Sequence, residues 1–446
     1  MNDLTKGNSA KVILKFAVPM LIGNVFQQLY NVVDSIIVGN FLGKEALSAV
    51  GASFPVMFAL ISLVIGIGSG STIIISQYFG AKDYAKVKIA IDTMYLVIFI
   101  ASILISIVGI AYSESIFKLI ELPDDILPQA TSYLNIILAG IVMMFGSSGT
   151  NAILRGLGDS KTPLYFLIFA SILNIIFDLL FVVVFEMGIE GVAYATVLAQ
   201  AIAFLSAVVY LNKYHELIHI SIKTFRFDKD IFLKSVKIGL PSGIQNMVVA
   251  IGMVAIYRIV NEFDTDVIAA YSVAGRIDSF AIMPAMNFAM ALTTFTGQNI
   301  GAGKIDRVKE GLKATLIMTS VVSIFFTFVA IFFGRFLMAL FTPEINVQQI
   351  GYDYLIIVSS FYVVFSAMFS ITSVFRGAGD TIVPMFITLL ALWFIRIPFS
   401  WFLSQKIGET GIWWGIPIAW AFGLVFSAIY FATGRWKKRA VVKIEK

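Results

Sequence analysis

Residues 12–42 read VILKFAVPMLIGNVFQQLYNVVDSIIVGNFL, an apolar run in which Asp34 is the single carboxylate. About 20 consecutive apolar residues are enough to cross the hydrocarbon core of a bilayer as one helix. A charged side chain at the middle of such a helix costs about 2.5–3.5 kcal/mol on insertion scales, and it therefore usually faces a cavity. The run predicts a membrane-spanning helix that carries a functional acid.

Comparable runs recur along all 446 residues, of which 59% are hydrophobic, and the mean hydropathy is +0.90. Soluble domains are only about 45–50% apolar. The composition therefore excludes a soluble globular protein and predicts an all-α polytopic membrane protein with about twelve transmembrane helices. The expected spans are approximately 13–38, 53–78, 90–112, 131–152, 163–185, 190–212, 236–260, 279–300, 313–334, 350–374, 384–404 and 411–434.

The charged residues indicate an orientation. Lys and Arg gather in alternate loops, and the amino terminus and the tail RWKKRAVVKIEK (435–446) fall on the same basic side. By the positive-inside rule, an even number of spans then places both termini in the cytoplasm, in a protein integral to the cytoplasmic (plasma) membrane. The net charge of +5 is scattered over loops, so nucleic acid is not an expected partner. The absence of cysteine excludes disulfides and thiolate metal sites.

The chain contains an internal repeat. ILRGLGDSKTP (153–163) matches VFRGAGDTIVP (374–384), and ISQYFGAKDYAKVK (75–88) matches TGQNIGAGKIDRVK (296–309), both at an offset of 221 residues. With about six spans per copy, an even number, the copies share one orientation and a pseudo-two-fold axis along the membrane normal. The predicted domains are an amino-terminal six-helix lobe, a cytoplasmic linker and a carboxy-terminal six-helix lobe, at 1–212, 213–235 and 236–446 respectively.

Two glycine motifs have structural interpretations. The RGxGD motif of each copy follows a span, and because Gly commonly ends a helix, we interpret the motif as a turn between spans. GIGSGS (66–71) lies within a hydrophobic span with no strand before it. Small residues that allow close helix contact explain it better than a phosphate-binding loop does.

Polar residues in the fifth and sixth spans suggest an ion site. In SILNIIFDLLFVVVF (171–185), Asn174 and Asp178 are four residues apart and share one helix face. Together with Asp34 and with Thr196 one span later, they supply two carboxylates, an amide oxygen and a hydroxyl, ligands that hard cations prefer. Two nearby buried carboxylates share a proton or hold a cation between them, and either outcome suits an ion-coupled carrier. The alternative is two acids bonded separately to neighbouring helices.

The stretch FQQLYNVVDSIIVG (26–39), the RGxGD motif in both copies and the Asn-x-x-x-Asp of the fifth span resemble the multidrug and toxic compound extrusion (MATE) transporters. The resemblance covers essentially the whole chain. It implies that Pro19 lets the first helix bend and that Gln27 and Asn151 line a polar cavity. The coupling-ion (Na⁺ or H⁺) site that it implies consists of Asp34, Asn174, Asp178 and Thr196.

The second copy departs from one branch of the family, which carries functional acids in its seventh and tenth spans. Here the seventh span has Gln245 and Asn246 but no mid-span acid. We predict that these two residues line a substrate cavity together with Met283 and Met286, since flexible Met suits promiscuous binding surfaces. Arg396 either lines the cavity or pairs with a carboxylate, or its side chain extends toward a membrane interface.

These features predict a secondary active multidrug exporter without enzymatic activity or cofactor, and with a role in antibiotic resistance. Amphiphilic or cationic drugs would leave by alternating access in antiport with Na⁺ or H⁺, through a monomer embedded in membrane lipids. One alternative is a lipid-linked oligosaccharide flippase, which needs a basic cluster for a pyrophosphate, and only Arg258 and Arg396 are candidates. An intramembrane aspartyl protease is a second alternative.

Overall fold

The computed structural model describes residues 3–215, 217–218, 220 and 225–442. All regular elements within these residues are helical, and π-helical turns occur at Val38–Leu42, Leu179–Val184 and Leu390–Arg396. The α-helices are α1 (Ser9–Ile37), α2 (Gly43–Gly80), α3 (Tyr84–Leu119), α4 (Leu127–Ala139), α5 (Ile141–Gly156), α6 (Lys161–Asp178), α7 (Gly188–Tyr214), α8 (Lys229–Val260), α9 (Thr265–Gly301), α10 (Ile305–Ala339), α11 (Ile345–Ser359), α12 (Tyr362–Ala378), α13 (Ile382–Leu389), α14 (Ile397–Ile407) and α15 (Glu409–Thr433).

The helices are of transmembrane length. In the described part of the chain, nine helical segments are long and apolar enough to cross a membrane, and two bent pairs raise this number to 11. One of the nine, Ser9–Ser62, spans 54 residues and contains the first expected span and the start of the second. The bent pairs are α4 with α5, at 54°, and α11 with α12, at 48°. The all-α polytopic class is therefore confirmed.

The chain forms two compact units. Among the described residues, the first unit holds Val18–Gly243, and the second holds Asp3–Ala17 together with 244–442. Helices α1 and α8 are thus each divided close to an internal proline, Pro19 and Pro241 respectively. Because proline removes one backbone hydrogen bond from a helix, both divisions fall at a weak point of the helix.

The segments before α1 and α8 are each anchored within one unit, the second unit for α1 and the first unit for α8. In the second unit, Leu4 N donates to Gln298 Oε1 at 3.0 Å, and Arg307 Nη1 donates to Gly7 O at 2.8 Å. In the first unit, Asp228 N donates to Thr93 Oγ1 at 3.1 Å. Both starting segments are therefore held by hydrogen bonds to side chains or from side chains of their own unit.

The two units also share equivalent hydrogen bonds between their helices. Thr72 Oγ1 donates to Ala152 O at 3.3 Å, which links α2 to α5. Thr293 Oγ1 donates to Ser373 O at 3.4 Å, which links α9 to α12. Both members of the second pair lie 221 residues after their counterparts, the offset of the sequence repeat. The two units therefore share helix packing as well as motifs.

The RGxGD motif forms a turn in both units, as predicted. Gly158 and Gly379 adopt the left-handed conformation, with φ of +80° and +93°. This conformation costs little only for Gly. In the first unit, Asp159 Oδ1 accepts from Thr162 N at 3.1 Å at the start of α6. In the second, Asp380 Oδ2 instead accepts from Tyr430 Oη at 2.5 Å.

GIGSGS is a helix-contact motif, which confirms its sequence interpretation. A Cβ at Gly66 would lie 2.7 Å from Gly239 O, and one at Gly70 would lie 2.7 Å from Gly239 N and closer still to Ser235 O. Backbone atoms cannot move aside as a flexible side chain can. Helix α2 therefore packs directly against the first part of α8 in the first unit.

We expect Gly70→Ala to lower the thermal unfolding midpoint of the purified protein, because the added methyl group overpacks a backbone contact, at a cost of about 1–3 kcal/mol. Gly68→Ala, in the same helix, is the matched control. Its Cβ would meet only Met94 Cε, at an ordinary 3.7 Å. Equal midpoints for the two variants would contradict the packing assigned to this motif.

Candidate functional site

Three helices of the first unit bring the four predicted ion-site residues together. Asp34 lies in the last turn of α1, Asp178 is the last residue of α6, and Thr196 lies on α7. The carboxyl groups of Asp34 and Asp178 come within hydrogen-bonding range of each other. This arrangement favours one shared site over two acids that are bonded separately to neighbouring helices.

Asn174, on α6, ties Asp178 to α7 and is 2% exposed. In one orientation of its amide, Nδ2 donates to Thr196 Oγ1 at 3.3 Å. In the other, the amide nitrogen donates to Asp178 Oδ2 at 2.8 Å and the amide oxygen accepts from Thr196 N at 3.3 Å. We adopt the second orientation because it satisfies both ends of a buried amide.

Two tyrosines complete the surroundings of the acids. Tyr30, one turn before Asp34 on α1, faces both carboxyl groups, and its hydroxyl reaches the Thr196 side chain. Tyr133, on α4, is buried and faces the same two acids. Neither tyrosine was predicted from the sequence. Helix periodicity could have found Tyr30, four residues before Asp34, whereas no local pattern marks Tyr133.

Each acid keeps one oxygen without a donor. The Oδ1 atoms of Asp34 and Asp178 are buried, and neither accepts a hydrogen bond from the described residues. Two unit charges about 4 Å apart repel by about 4 kcal/mol at an effective dielectric constant of about 20. The pair is therefore favoured when one group carries a proton or when a cation lies between the oxygens.

Both acids are followed closely by π-helical turns. The turns Val38–Leu42 and Leu179–Val184 contact each other, and the second begins directly after Asp178. On α7, a Cβ at Gly191 would lie 3.1 Å from Phe181 Cβ, so glycine lets this helix approach the wide turn. π-Helical turns are rare and occur frequently at functional sites. Here two such turns lie beside the paired acids.

Gln27 and Asn151, predicted to line a polar cavity, lie in the first unit and are both half-buried. Gln27 precedes Asp34 by seven residues on α1, so the two side chains share one helix face. Asn151 lies on α5. The structure thus leaves both side chains partly accessible, and their contact with substrate stays a prediction.

The predicted cavity residues of the second unit have different surroundings. The Gln245 amide is engaged at both ends: Nε2 donates to Thr388 Oγ1 at 2.7 Å, and Oε1 accepts from Arg376 Nη2 at 3.1 Å. These bonds give Gln245 a structural role that the sequence did not show. The other predicted cavity residues are exposed or half-buried: Asn246, Met283, Met286 and Arg396.

The MatE family model matches residues 19–180 and 241–402 of the sequence. The chain belongs to the MatE family. The two matched segments begin 222 residues apart (241 minus 19), in agreement with the internal repeat. Each MatE segment covers most of one six-helix copy, so the duplication in the sequence is a duplication of the family's own unit.

Relatives of this MATE chain match it from end to end. Probable multidrug resistance protein YpnP of Bacillus subtilis is 34% identical over 436 residues, covering 98% of this chain and 97% of the relative. Probable multidrug resistance protein YoeA of the same organism is 31% identical over 439 residues, covering 96% and 94%. A crystal structure of MATE in the bent conformation is 25% identical, covers 98% of both chains and superposes with a TM-score of 0.90.

These comparisons identify an integral membrane protein of the two-lobed MATE architecture, homologous to multidrug efflux transporters. They support a role in transport rather than an enzymatic one. They do not support the alternative of a lipid-linked oligosaccharide flippase. The family assigned from the sequence motifs is confirmed.

We expect Asn174→Ala to lower the thermal unfolding midpoint, because the buried Asp178 Oδ2 loses its donor, at a cost of about 1–3 kcal/mol. Unfolding of the purified protein in detergent, followed by Trp fluorescence, measures the change. Asn261→Ala, at an exposed loop position after α8, is the control and should change stability by less than about 0.5 kcal/mol. Asn174 would lose its assigned role if both variants unfolded like the wild type.

Proposed function

We propose that this MATE transporter is a secondary active exporter that moves amphiphilic, often cationic, drugs out of the cell in antiport with Na⁺ or H⁺. The observation that carries the proposal is the contact between Asp34 and Asp178, in which each acid keeps a buried oxygen without a donor. Such a pair changes its preferred geometry when a proton or a metal cation arrives or leaves. That change is what coupling requires.

The class of substrate is inferred from relatives. YpnP and YoeA are both named probable multidrug resistance proteins, and both match this chain over nearly its full length. Their names support drugs as cargo and a contribution to antibiotic resistance. Both termini lie in the cytoplasm in this proposal, because the positively charged loops and tails favour that side.

The ion acts through the position of α1. With a proton or Na⁺ at the site, the Asp34 carboxyl group stays beside Asp178, the Asn174 amide nitrogen holds Asp178 in place, and the Thr196 hydroxyl supplies a neutral oxygen. Without it, repulsion between two carboxylates of about 4 kcal/mol drives the end of α1 away from α6. Pro19 lacks an amide hydrogen for the helix ladder, so we propose that α1 bends there.

Alternating access follows if the two geometries of α1 belong to inward-open and outward-open states. Ion binding then shifts the population between them, by no more than its differential affinity for the two states. In antiport, an ion that binds from outside returns the carrier to the inward-open state, where the ion is released and drug binds again. Transport of drug against its gradient thereby depends on the acid pair.

We expect Asp178→Asn to abolish gradient-driven drug efflux in reconstituted vesicles, since a neutral amide neither releases a proton nor attracts a cation. A sodium gradient and a proton gradient, imposed separately, identify the coupling ion. Asp34→Asn should have the same effect. Asp125→Asn, in the exposed loop before α4, is the matched control and should transport like the wild type.

Efflux by the wild type that responds to neither gradient would contradict ion coupling. Gradient-driven efflux that persists in Asp178→Asn at the wild-type rate would remove the acid pair from the mechanism. Protein abundance in the vesicles is measured for every variant, so a loss of transport is separated from a loss of folded protein.

A further inference from the structure

The chain that follows the last helix carries a concentrated positive charge. It turns at Gly434, with φ of +64°, and residues Arg435–Arg439 (RWKKR) then form a short 3₁₀ helix. We call these five residues the basic turn. Its four Lys and Arg side chains are all exposed, whereas Trp436 between them is 0% exposed. The basic turn is therefore folded against the second unit rather than extended from it.

Trp436 anchors the basic turn. Its ring stacks on Phe431 of α15, with centroids 5.4 Å apart and an interplanar angle of 14°, and its Nε1 donates to Phe431 O at 3.2 Å. Phe431 in turn contacts Phe375 of α12, at 6.5 Å between centroids. A buried Trp whose N–H has an acceptor contributes a large apolar contact without an unpaired polar group. The ring thus fixes the position of the charged residues on either side of it.

The aspartate of the second RGxGD copy holds the other end of the basic turn. Asp380 Oδ2 accepts from Tyr430 Oη at 2.5 Å and lies 3.7 Å from Arg439 Nε. In the first copy, the equivalent carboxylate accepts from Thr162 Oγ1 at 2.7 Å instead. The residue 221 positions after Thr162 is Val383, which has no hydroxyl. The second copy of the motif therefore differs from the first in securing the carboxy-terminal turn.

The remaining cations of the basic turn have no acidic partner. Among the described residues, no carboxylate lies within 4.0 Å of Arg435, Lys437 or Lys438, and the turn's one ion pair is that of its last arginine. Lys437 Nζ lies over the Trp436 ring, 5.8 Å from its centroid. Asp306, at the start of α10, interacts electrostatically with Lys437 but pairs with a lysine of its own helix. Three cationic groups are thus presented together and available to an anion.

The basic turn lies where a membrane-spanning helix ends. Helix α15 (Glu409–Thr433) is long and apolar enough to cross a bilayer, and the turn begins two residues after it. Five residues of 3₁₀ helix extend about 10 Å, which is similar to the Debye length of about 8 Å at physiological ionic strength. The cations therefore stay within range of the headgroup charges. Anionic lipid surfaces attract Lys and Arg residues placed in this way.

We propose that the basic turn is a binding surface for the headgroups of anionic phospholipids. Arg435, Lys437 and Lys438 donate to the lipid phosphate, and a guanidinium can do so through two parallel hydrogen bonds. Trp436 and Asp380 hold the turn in one conformation, so binding costs less ordering than it would for a free basic extension. The surface goes beyond the proposed export function, because lipid binding needs neither an ion gradient nor the acid pair of the first unit.

The test uses a fluorescent reporter beside the basic turn. The chain has no cysteine, so Val442→Cys can be labelled at one site with an environment-sensitive dye. The labelled protein, purified in detergent, is titrated with phosphatidylglycerol or with zwitterionic phosphatidylcholine of the same acyl chains. We expect a saturable change with phosphatidylglycerol only. Lys437→Gln combined with Lys438→Gln should weaken that binding about tenfold or more, since each cation near an anionic surface contributes about fivefold.

Two further variants control the test. Lys213→Gln combined with Lys229→Gln removes the same charge from exposed positions of the first unit and should change the affinity less than about twofold. Trp436→Ala keeps every charge but frees the turn, so it should weaken binding severalfold. Inorganic phosphate, at the lipid concentrations used, should not displace phosphatidylglycerol. The thermal unfolding midpoint of each variant shows that folded protein is compared.

Four results would overturn the lipid surface. The reporter could respond equally to both lipids, or the double variant of Lys437 and Lys438 could bind phosphatidylglycerol like the wild type. The control pair Lys213 and Lys229 could lose as much affinity, which would make the effect one of net charge alone. Displacement by inorganic phosphate would assign the turn to free anions instead. Wild-type affinity in folded Trp436→Ala would contradict the part of the proposal that requires a docked turn.

Discussion

The first unit holds two carboxyl groups within hydrogen-bonding range of each other, and each keeps one buried oxygen without a donor among the described residues. Asp34 and Asp178 come from α1 and α6, and no basic side chain in the described part of the chain pairs with them. Their repulsion, about 4 kcal/mol when both are charged, is a large fraction of the net stability of a typical domain. In the proposed mechanism, a bound proton or cation keeps the two groups in contact. Asn174 and Thr196 position the acids but cannot replace that charge.

The construction of α1 suits the proposed movement. The site lies near the end of α1, next to two π-helical turns that contact each other, and Pro19 lies far back along the same helix. A helix that is weakened at a proline can pivot there without unfolding. Residues Asp3–Ala17 belong to the second unit and are anchored there by Gln298 and Arg307. These hydrogen bonds hold the segment before α1 in place.

Much of this could be predicted from the sequence, for identifiable reasons. Apolar runs and a fixed repeat offset are properties of consecutive residues, so the class, the duplication and the turns at RGxGD follow directly. The residues of the predicted ion site could be identified from the sequence because buried acids are rare and because Asn174 and Asp178 share a helix face. Tyr133 could not be predicted from the sequence, since only tertiary packing brings α4 to the acids. The hydrogen bonds of Gln245 depend likewise on two residues more than 100 positions away, Arg376 and Thr388.

The central claim is that Asp34 and Asp178 share one proton or exchange it for a cation, and infrared difference spectroscopy of the carboxyl C=O stretch tests it most directly. The purified wild type, free of sodium, should show a protonated carboxyl band that is lost in Asp34→Asn and also in Asp178→Asn. Loss of the same band on addition of Na⁺ would identify sodium as the competing ion, and its loss only on raising the pH would identify the proton. A band that survives in both variants, or the absence of any protonated carboxyl in the sodium-free protein, would contradict a shared site.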